Sequence, residues 1–213
     1  ELFSLTDWVS DEEANIVWLT VQDHNMSLVK PILSLWVNII ILELLKRDPE
    51  KKNLPVNLII DELASFNSFE LLPKGLERLR KYDGRIILSY QSDSQLDDVY
   101  GHKKAISIRS NTGSKIIFRS PEPSDSKYLS AYLGAGEIDQ VLTSQSIGIK
   151  STSDRENISE NEKYKPAVLE SEIQSLKDYH FYLKTLSFNP TYGKIKDFKI
   201  APVDIDRKNY FLE

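Results

Sequence analysis

The sequence contains no cysteine, so disulfides and thiolate metal sites are excluded, in keeping with a reducing compartment. Histidine is scarce. His24, His102 and His180 lie far apart and show no metal-ligand spacing. A basic excess is also missing: the formal net charge is −5, whereas a bulk electrostatic clamp on nucleic acid is basic. Any nucleic-acid contact must therefore be local or made by an assembly. No apolar run reaches the roughly 20 residues of a spanning helix. The longest, from Pro31 to Leu45, holds Ser34, Asn38 and Glu43 and reads as a buried helix. There is no signal peptide, and the chain opens Glu-Leu-Phe without an initiator Met, which leads us to expect a piece of a longer protein. Most telling for chemistry, no G-x-x-x-x-G-K-[ST] phosphate loop occurs anywhere, and Gly134-Ala-Gly136 reads as a helix end and turn.

What is present is a folded, soluble composition: 213 residues, 40% hydrophobic and 28% charged, enough for one substantial core. Ile16–Val21, Val56–Ile60, Arg85–Tyr90 and Lys115–Phe118 are short apolar, β-branched runs that read as buried strands. Helices are expected over 27–46, 71–82, 94–100, 103–111 and 124–133. In the first, Leu28, Ile32, Leu35, Trp36, Ile39 and Leu42 recur at helical spacing as a core face. Trp8, Trp18 and Trp36 read as core residues. Strands alternating with helices predict an α/β fold, a mostly parallel sheet with helices on both faces. Residues 150–165, poor in large apolar side chains, are expected to form an exposed loop. A short helix over 168–176 and strands over 181–186 and 194–200 complete the expected elements.

Three places carry chemistry. Val56-Asn-Leu-Ile-Ile-Asp61-Glu62 is an apolar strand ending in two acids, the Walker B arrangement. At a strand's carboxyl end the aspartate would hold a Mg²⁺ shell and the glutamate would orient an attacking water. The plainer reading is a strand ending in two solvated carboxylates, and the pair alone leaves both open. Gln91 closes the next strand, where an amide can contact a γ-phosphate. Lys74, Arg78, Arg80, Lys81 and Arg85 lie between them. One could act as an arginine finger on a neighbouring subunit, although a solvated basic face is the plainer reading for most. Lys74 and Arg78, four apart, share a helix face and could touch DNA phosphates.

A family resemblance rests on stretches that occur in order. They are Phe3-Ser-Leu-Thr-Asp-Trp8-Val, Trp18-Leu19, Ser27-Leu-Val-Lys30-Pro31, Ile60-Asp61-Glu62-Leu63, Arg80-Lys81-Tyr82-Asp83-Gly84, Tyr90-Gln91-Ser92, Gln95-Leu96-Asp97-Asp98-Val99-Tyr100-Gly101 and Phe118-Arg119-Ser120-Pro121. Over residues 2–138, and more loosely to 200, the chain resembles the C-terminal part of the motor domain of the type IV secretion coupling proteins, most of all their TraD branch. The resemblance implies a RecA-like P-loop NTPase fold, with residues 1–213 forming a single partial motor domain that lacks the Walker A segment. It implies ATP and Mg²⁺ as cofactors and a homo-hexamer at the cytoplasmic face of the bacterial inner membrane, anchored through segments absent here. Single-stranded DNA, a relaxase and secretion-channel components would be its partners. It also assigns Asp61, Glu62 and Gln91 to catalysis and nucleotide binding, Asp61 to Mg²⁺, and Arg80 to the finger. Two other readings remain: a non-catalytic remnant or docking module, and another RecA-like DNA translocase.

Overall fold

The structure is a computed structural model that describes residues 3–11, 13, 16–51, 53–144 and 157–196. Its contacts divide the described residues into two compact units, one up to Gly113 and the other from Ser114 onward.

The first unit is built on two parallel strands, β1 (Val56–Ile60) and β2 (Gly84–Leu88), paired from Val56↔Gly84 to Ile60↔Leu88. Alternation sends Leu58, Ile60, Ile86 and Leu88 to one face, where helices cover them. Those helices are α1 (Leu5–Ser10), α2 (Met26–Lys46), α3 (Leu72–Arg78), α4 (Asp93–Tyr100) and α5 (His102–Asn111). Ile41, Leu44, Leu63, Leu72, Leu96 and Ile108 are fully buried in this core. On the other face Ile59 and Ile87, partners in the ladder, are exposed, so among the described residues the helices cover one side only.

Local chemistry places these helices. Ser92 caps α4 by accepting from the Gln95 N–H at 3.3 Å. Gly101, at φ 74, lets the chain turn from α4 into α5. Asn38, a polar residue of α2, accepts from the Leu71 N–H at 3.0 Å and so docks the start of α3. A Cβ on Gly84 would stand 2.9 Å from the Leu79 Cβ, so only glycine lets β2 begin so close to the 3₁₀ turn Leu79–Tyr82.

Several expectations are corrected here. Ile16–Val21 is not a strand: it forms no ladder, and Ile16 and Trp18 are 71% and 60% exposed. Trp18 is therefore not a core residue, whereas Trp8 packs against the core edge. Helix α2 is present, but its buried face is Leu33, Val37, Ile40, Ile41 and Leu44, while Leu28, Ile32, Leu35 and Leu42 are exposed. A helix that is apolar all round gives periodicity nothing with which to choose a face. This 21-residue helix is long and apolar enough to cross a membrane, yet one face lies in the core of this unit.

The second unit holds an antiparallel sheet, β3 (Ser114–Ile117), β6 (His180–Thr185) and β7 (Thr191–Lys194), in the order β3-β6-β7. The strand expected at 115–118 thus belongs to an antiparallel sheet and pairs with β6, not with β2. Helix α6 (Pro123–Leu133) and the short α7 (Glu170–Gln174) pack through Leu133, Ile173, Val168 and Ile117. The Ser130 hydroxyl donates to the Val168 carbonyl at 2.6 Å. β4 (Ala135–Ser144) and β5 (Asn157–Pro166) pair antiparallel over ten residues each. The expected loop at 150–165 is corrected in part: 157–165 are strand, and 150–156 lie outside the described residues. A two-stranded ribbon satisfies its backbone by pairing with itself, so it carries no apolar run to announce it. Of the strand expected at 194–200, 194 closes β7 and 197–200 lie outside the described residues.

Candidate functional site

In a parallel pair, both carboxyl ends open on the same side. β1 delivers Asp61 and Glu62 there, and β2 delivers Ser89 and, two residues on, Gln91. The chain leaves β1 sharply. Glu62 adopts φ 53 and ψ 64, a left-handed conformation that costs a non-glycine residue about 1–2 kcal/mol. Leu63, fully buried, anchors the 3₁₀ turn Leu63–Ser65 that follows.

A cavity of about 340 Å³ opens at these strand ends, lined by Glu62, Ala64, Ser65, Gln91, Gln95, Asp98 and Val99. Two candidates from the sequence, Glu62 and Gln91, thus come together. Asp61 is beside them, its Oδ1 accepting from the Ser89 hydroxyl at 2.7 Å. The strand expected to reach Tyr90 stops at Leu88, and Ser89 is the first residue beyond it. The acids are carried by backbone as well: Ser89 N–H donates to the Ile60 carbonyl at 3.0 Å, and Leu63 N–H donates to the Ser89 carbonyl at 2.7 Å.

Helix α4 contributes Gln95 and Asp98, one turn apart, and is held in place from behind. Arg109 of α5, 7% exposed, reaches Asp93 at 3.3 Å and Asp97 at 3.1 Å. His102 Nδ1 lies 3.0 Å from the second Asp97 oxygen. The Asp97 carboxyl is held below its usual range, first by the His102 hydrogen bond and then by Arg109, against a desolvation that pushes the other way. Tyr100, at the end of α4, accepts from the Phe69 N–H at 3.3 Å in the core, and burial pushes its phenol up to about 12.

The basic candidates lie elsewhere. Arg80 is exposed in the turn that precedes β2, at the end of the strand opposite Gln91. The five residues of β2, at about 3.3 Å each, span roughly 16 Å between that turn and the pocket end of the strand. Lys74 and Arg78 are exposed on α3, and the Arg78 Nε lies 3.6 Å from Glu77. None of the three lines the pocket.

The residues that reasoning from sequence missed are Ser89, Gln95 and Asp98. Gln95 and Asp98 stand in the Gln-Leu-Asp-Asp-Val-Tyr-Gly block, whose helical spacing was a usable signal. Ser89 gave none beyond its place two residues before Gln91.

The fit of a Mg-nucleotide can be judged from this donor set. Among the described residues no group of three or more His, Asp or Glu forms a metal cluster. Magnesium keeps several waters and takes only one or two carboxylates beside substrate phosphates, and Asp61 with Glu62 meets that demand. The residues therefore suit the metal and water side of such a ligand, while the sequence holds no G-x-x-x-x-G-K-[ST] loop.

Comparison with known proteins agrees with this fold. Residues 1–193 match the family model of the type IV secretion-system coupling protein DNA-binding domain. The chain is 30% identical over 188 residues to the coupling protein TraD of Escherichia coli (strain K12), covering 86% of this chain and 26% of that one. It superposes on an unbound form of the bacterial conjugative coupling protein TrwB with a TM-score of 0.79 and 26% identity, over 93% of this chain and 45% of that one. TrwB in complex with ADP and Mg²⁺ gives a TM-score of 0.79 at 25% identity, over 99% of this chain and 46% of that one. The chain thus spans about a quarter of TraD and less than half of the TrwB chains. The shared fold is the RecA-like α/β class. Taken with the ordered motifs, these matches show that the chain belongs to the type IV secretion-system coupling protein family.

Proposed function

We propose that this chain is the Walker B half of an ATPase motor that moves single-stranded DNA, with its relaxase, into a type IV secretion channel during conjugation. The observation that carries the reading is the convergence of Glu62 and Gln91 on one cavity at the carboxyl ends of β1 and β2, with Asp61 fixed beside them. Ligands of open α/β sheets bind at that end. In this reading residues 1–213 are one partial motor domain, and the Walker A loop comes from another segment of the parent polypeptide. That polypeptide works as a homo-hexamer at the cytoplasmic face of the inner membrane.

Bound Mg-ATP would supply the electrophilic phosphoryl group. Asp61 would hold the metal's water shell. Glu62 orients the attacking water and draws its proton. Gln91 donates an amide hydrogen bond toward the γ-phosphate side. Arg80, in the turn before β2, does not line its own pocket and is assigned to the neighbour's site. Lys74 and Arg78 are candidate phosphate contacts for DNA. Such contacts give sequence-tolerant, salt-dependent binding.

The test uses a parent polypeptide that carries the phosphate loop. Glu62→Gln and Arg80→Ala should each abolish turnover while leaving nucleotide binding intact. Mixing the two inactive proteins should restore part of the activity, because mixed rings contain interfaces where both residues are intact. Unchanged turnover in either variant removes that residue's role, and no restoration on mixing overturns the assignment of Arg80 to the neighbour.

A further inference from the structure

We infer that Ser89 is the positioning residue of this site, fixing the Asp61 carboxylate and the Glu62 backbone in one geometry and tying both to the strand that carries Gln91. The inference rests on the ATP-site reading above. Its observations are four hydrogen bonds from one residue. Ser89 N–H donates to the Ile60 carbonyl at 3.0 Å, and the Ser89 carbonyl accepts from Leu63 N–H at 2.7 Å. The hydroxyl donates to Asp61 Oδ1 at 2.7 Å and accepts from Glu62 N–H at 3.0 Å. A serine hydroxyl has one proton and two lone pairs, so one oxygen can meet an acceptor and a donor at once.

The two backbone bonds extend the β1–β2 ladder by one step, and any residue would make them. The two side-chain bonds are different, because both are aimed at the acidic pair. The bond to Asp61 is charge-assisted and removes the freedom of a carboxylate otherwise open to solvent. The bond to Glu62 acts on a residue at φ 53. Such a conformation persists only where its surroundings over-determine it. Ser89 supplies that restraint on both sides, through the Glu62 N–H and the Leu63 N–H. Threonine preserves this arrangement, and alanine removes only the two bonds that matter.

The decisive measurement on this chain is amide hydrogen exchange, which requires no nucleotide. Ser89→Ala should speed exchange at Glu62 by about tenfold, the loss expected for one hydrogen bond. Leu63, held by the Ser89 carbonyl, and the core amides should keep their rates, and Ser89→Thr should keep the Glu62 rate. Unchanged Glu62 exchange in Ser89→Ala, or uniform loosening of the unit, overturns the inference. In the parent polypeptide, Ser89→Ala should lower kcat about 10- to 100-fold with KM within about threefold, and Ser89→Thr should restore it. Equal effects on kcat and KM, or no rescue by threonine, also overturn it. If exchange responds as expected while Glu62→Gln leaves turnover intact, the ATP-site reading fails and the clamp remains as a local restraint.

Discussion

Replacing Glu62 with glycine should make this protein more stable while removing its proposed activity. The reasoning starts from φ 53 at Glu62. That left-handed conformation costs a side-chain-bearing residue about 1–2 kcal/mol, and glycine adopts it freely. Against this, glycine loses more backbone freedom on folding, about 0.5–1 kcal/mol. The Glu62 carboxylate makes no hydrogen bond or ion pair with the described residues, so its removal forfeits no such contact. The net expectation is a gain of about 0–1.5 kcal/mol for Glu62→Gly. Glu62→Ala keeps the strained backbone and should stay within about 0.5 kcal/mol of the parent. Urea titration followed by tryptophan fluorescence measures both, provided the m-value is unchanged. In the parent polypeptide the glycine variant should lose turnover, since no carboxylate remains to orient water. A destabilisation beyond about 1 kcal/mol in Glu62→Gly would mean that the side chain is bound into the fold, and the strain argument would be refuted.

Three further outcomes follow from the packing. Arg109→Ala should destabilise the first unit by about 2–3 kcal/mol in the same titration, because it strips two carboxylates of a buried partner. Tyr100→Phe should cost about 1–2 kcal/mol near neutral pH by orphaning the buried Phe69 N–H. Burial raises the Tyr100 phenol to about 12 from an ordinary value near 10, so the neutral form is favoured in the fold. The stability this gives is complete below about pH 10 and is lost as pH rises toward 12, and Tyr100→Phe should flatten that part of a stability–pH profile. Gly84→Ala should destabilise by about 1–3 kcal/mol, since its Cβ would stand 2.9 Å from the Leu79 Cβ.

The sequence is most legible where a local rule has a single reading. β1 is a five-residue apolar run with the acids at its end, and the structure places that run and that end as expected. Helices α4 and α5 fall within one residue of the ranges expected for them. The run Ile16–Val21 looks the same locally, yet it finds no partner strand among the described residues. A strand exists only as part of a ladder, and composition does not supply the neighbour. For α2 the existence of the helix was legible and its buried face was not, because Leu28 and Leu33 are equally apolar and tertiary contacts decide between them. The strand at 157–166 was hidden for the opposite reason, a ladder without an apolar signature. At the site, residue type announced Asp61, Glu62 and Gln91. Ser89 depends on register, since only the pairing of Ile60 with Leu88 sets the next residue against the acids.

The central claim is that these 213 residues hold one side of an ATP site and need a phosphate-binding loop to work. The most direct test compares ATP hydrolysis by this chain alone with hydrolysis by the same chain joined to a segment bearing G-x-x-x-x-G-K-[ST]. The chain alone should show no hydrolysis above background. The joined protein should turn over ATP, and Glu62→Gln should reduce that turnover by about 100-fold or more while nucleotide binding persists. Robust Glu62-dependent hydrolysis by the isolated chain, or a joined Glu62→Gln protein as active as its parent, would contradict the account.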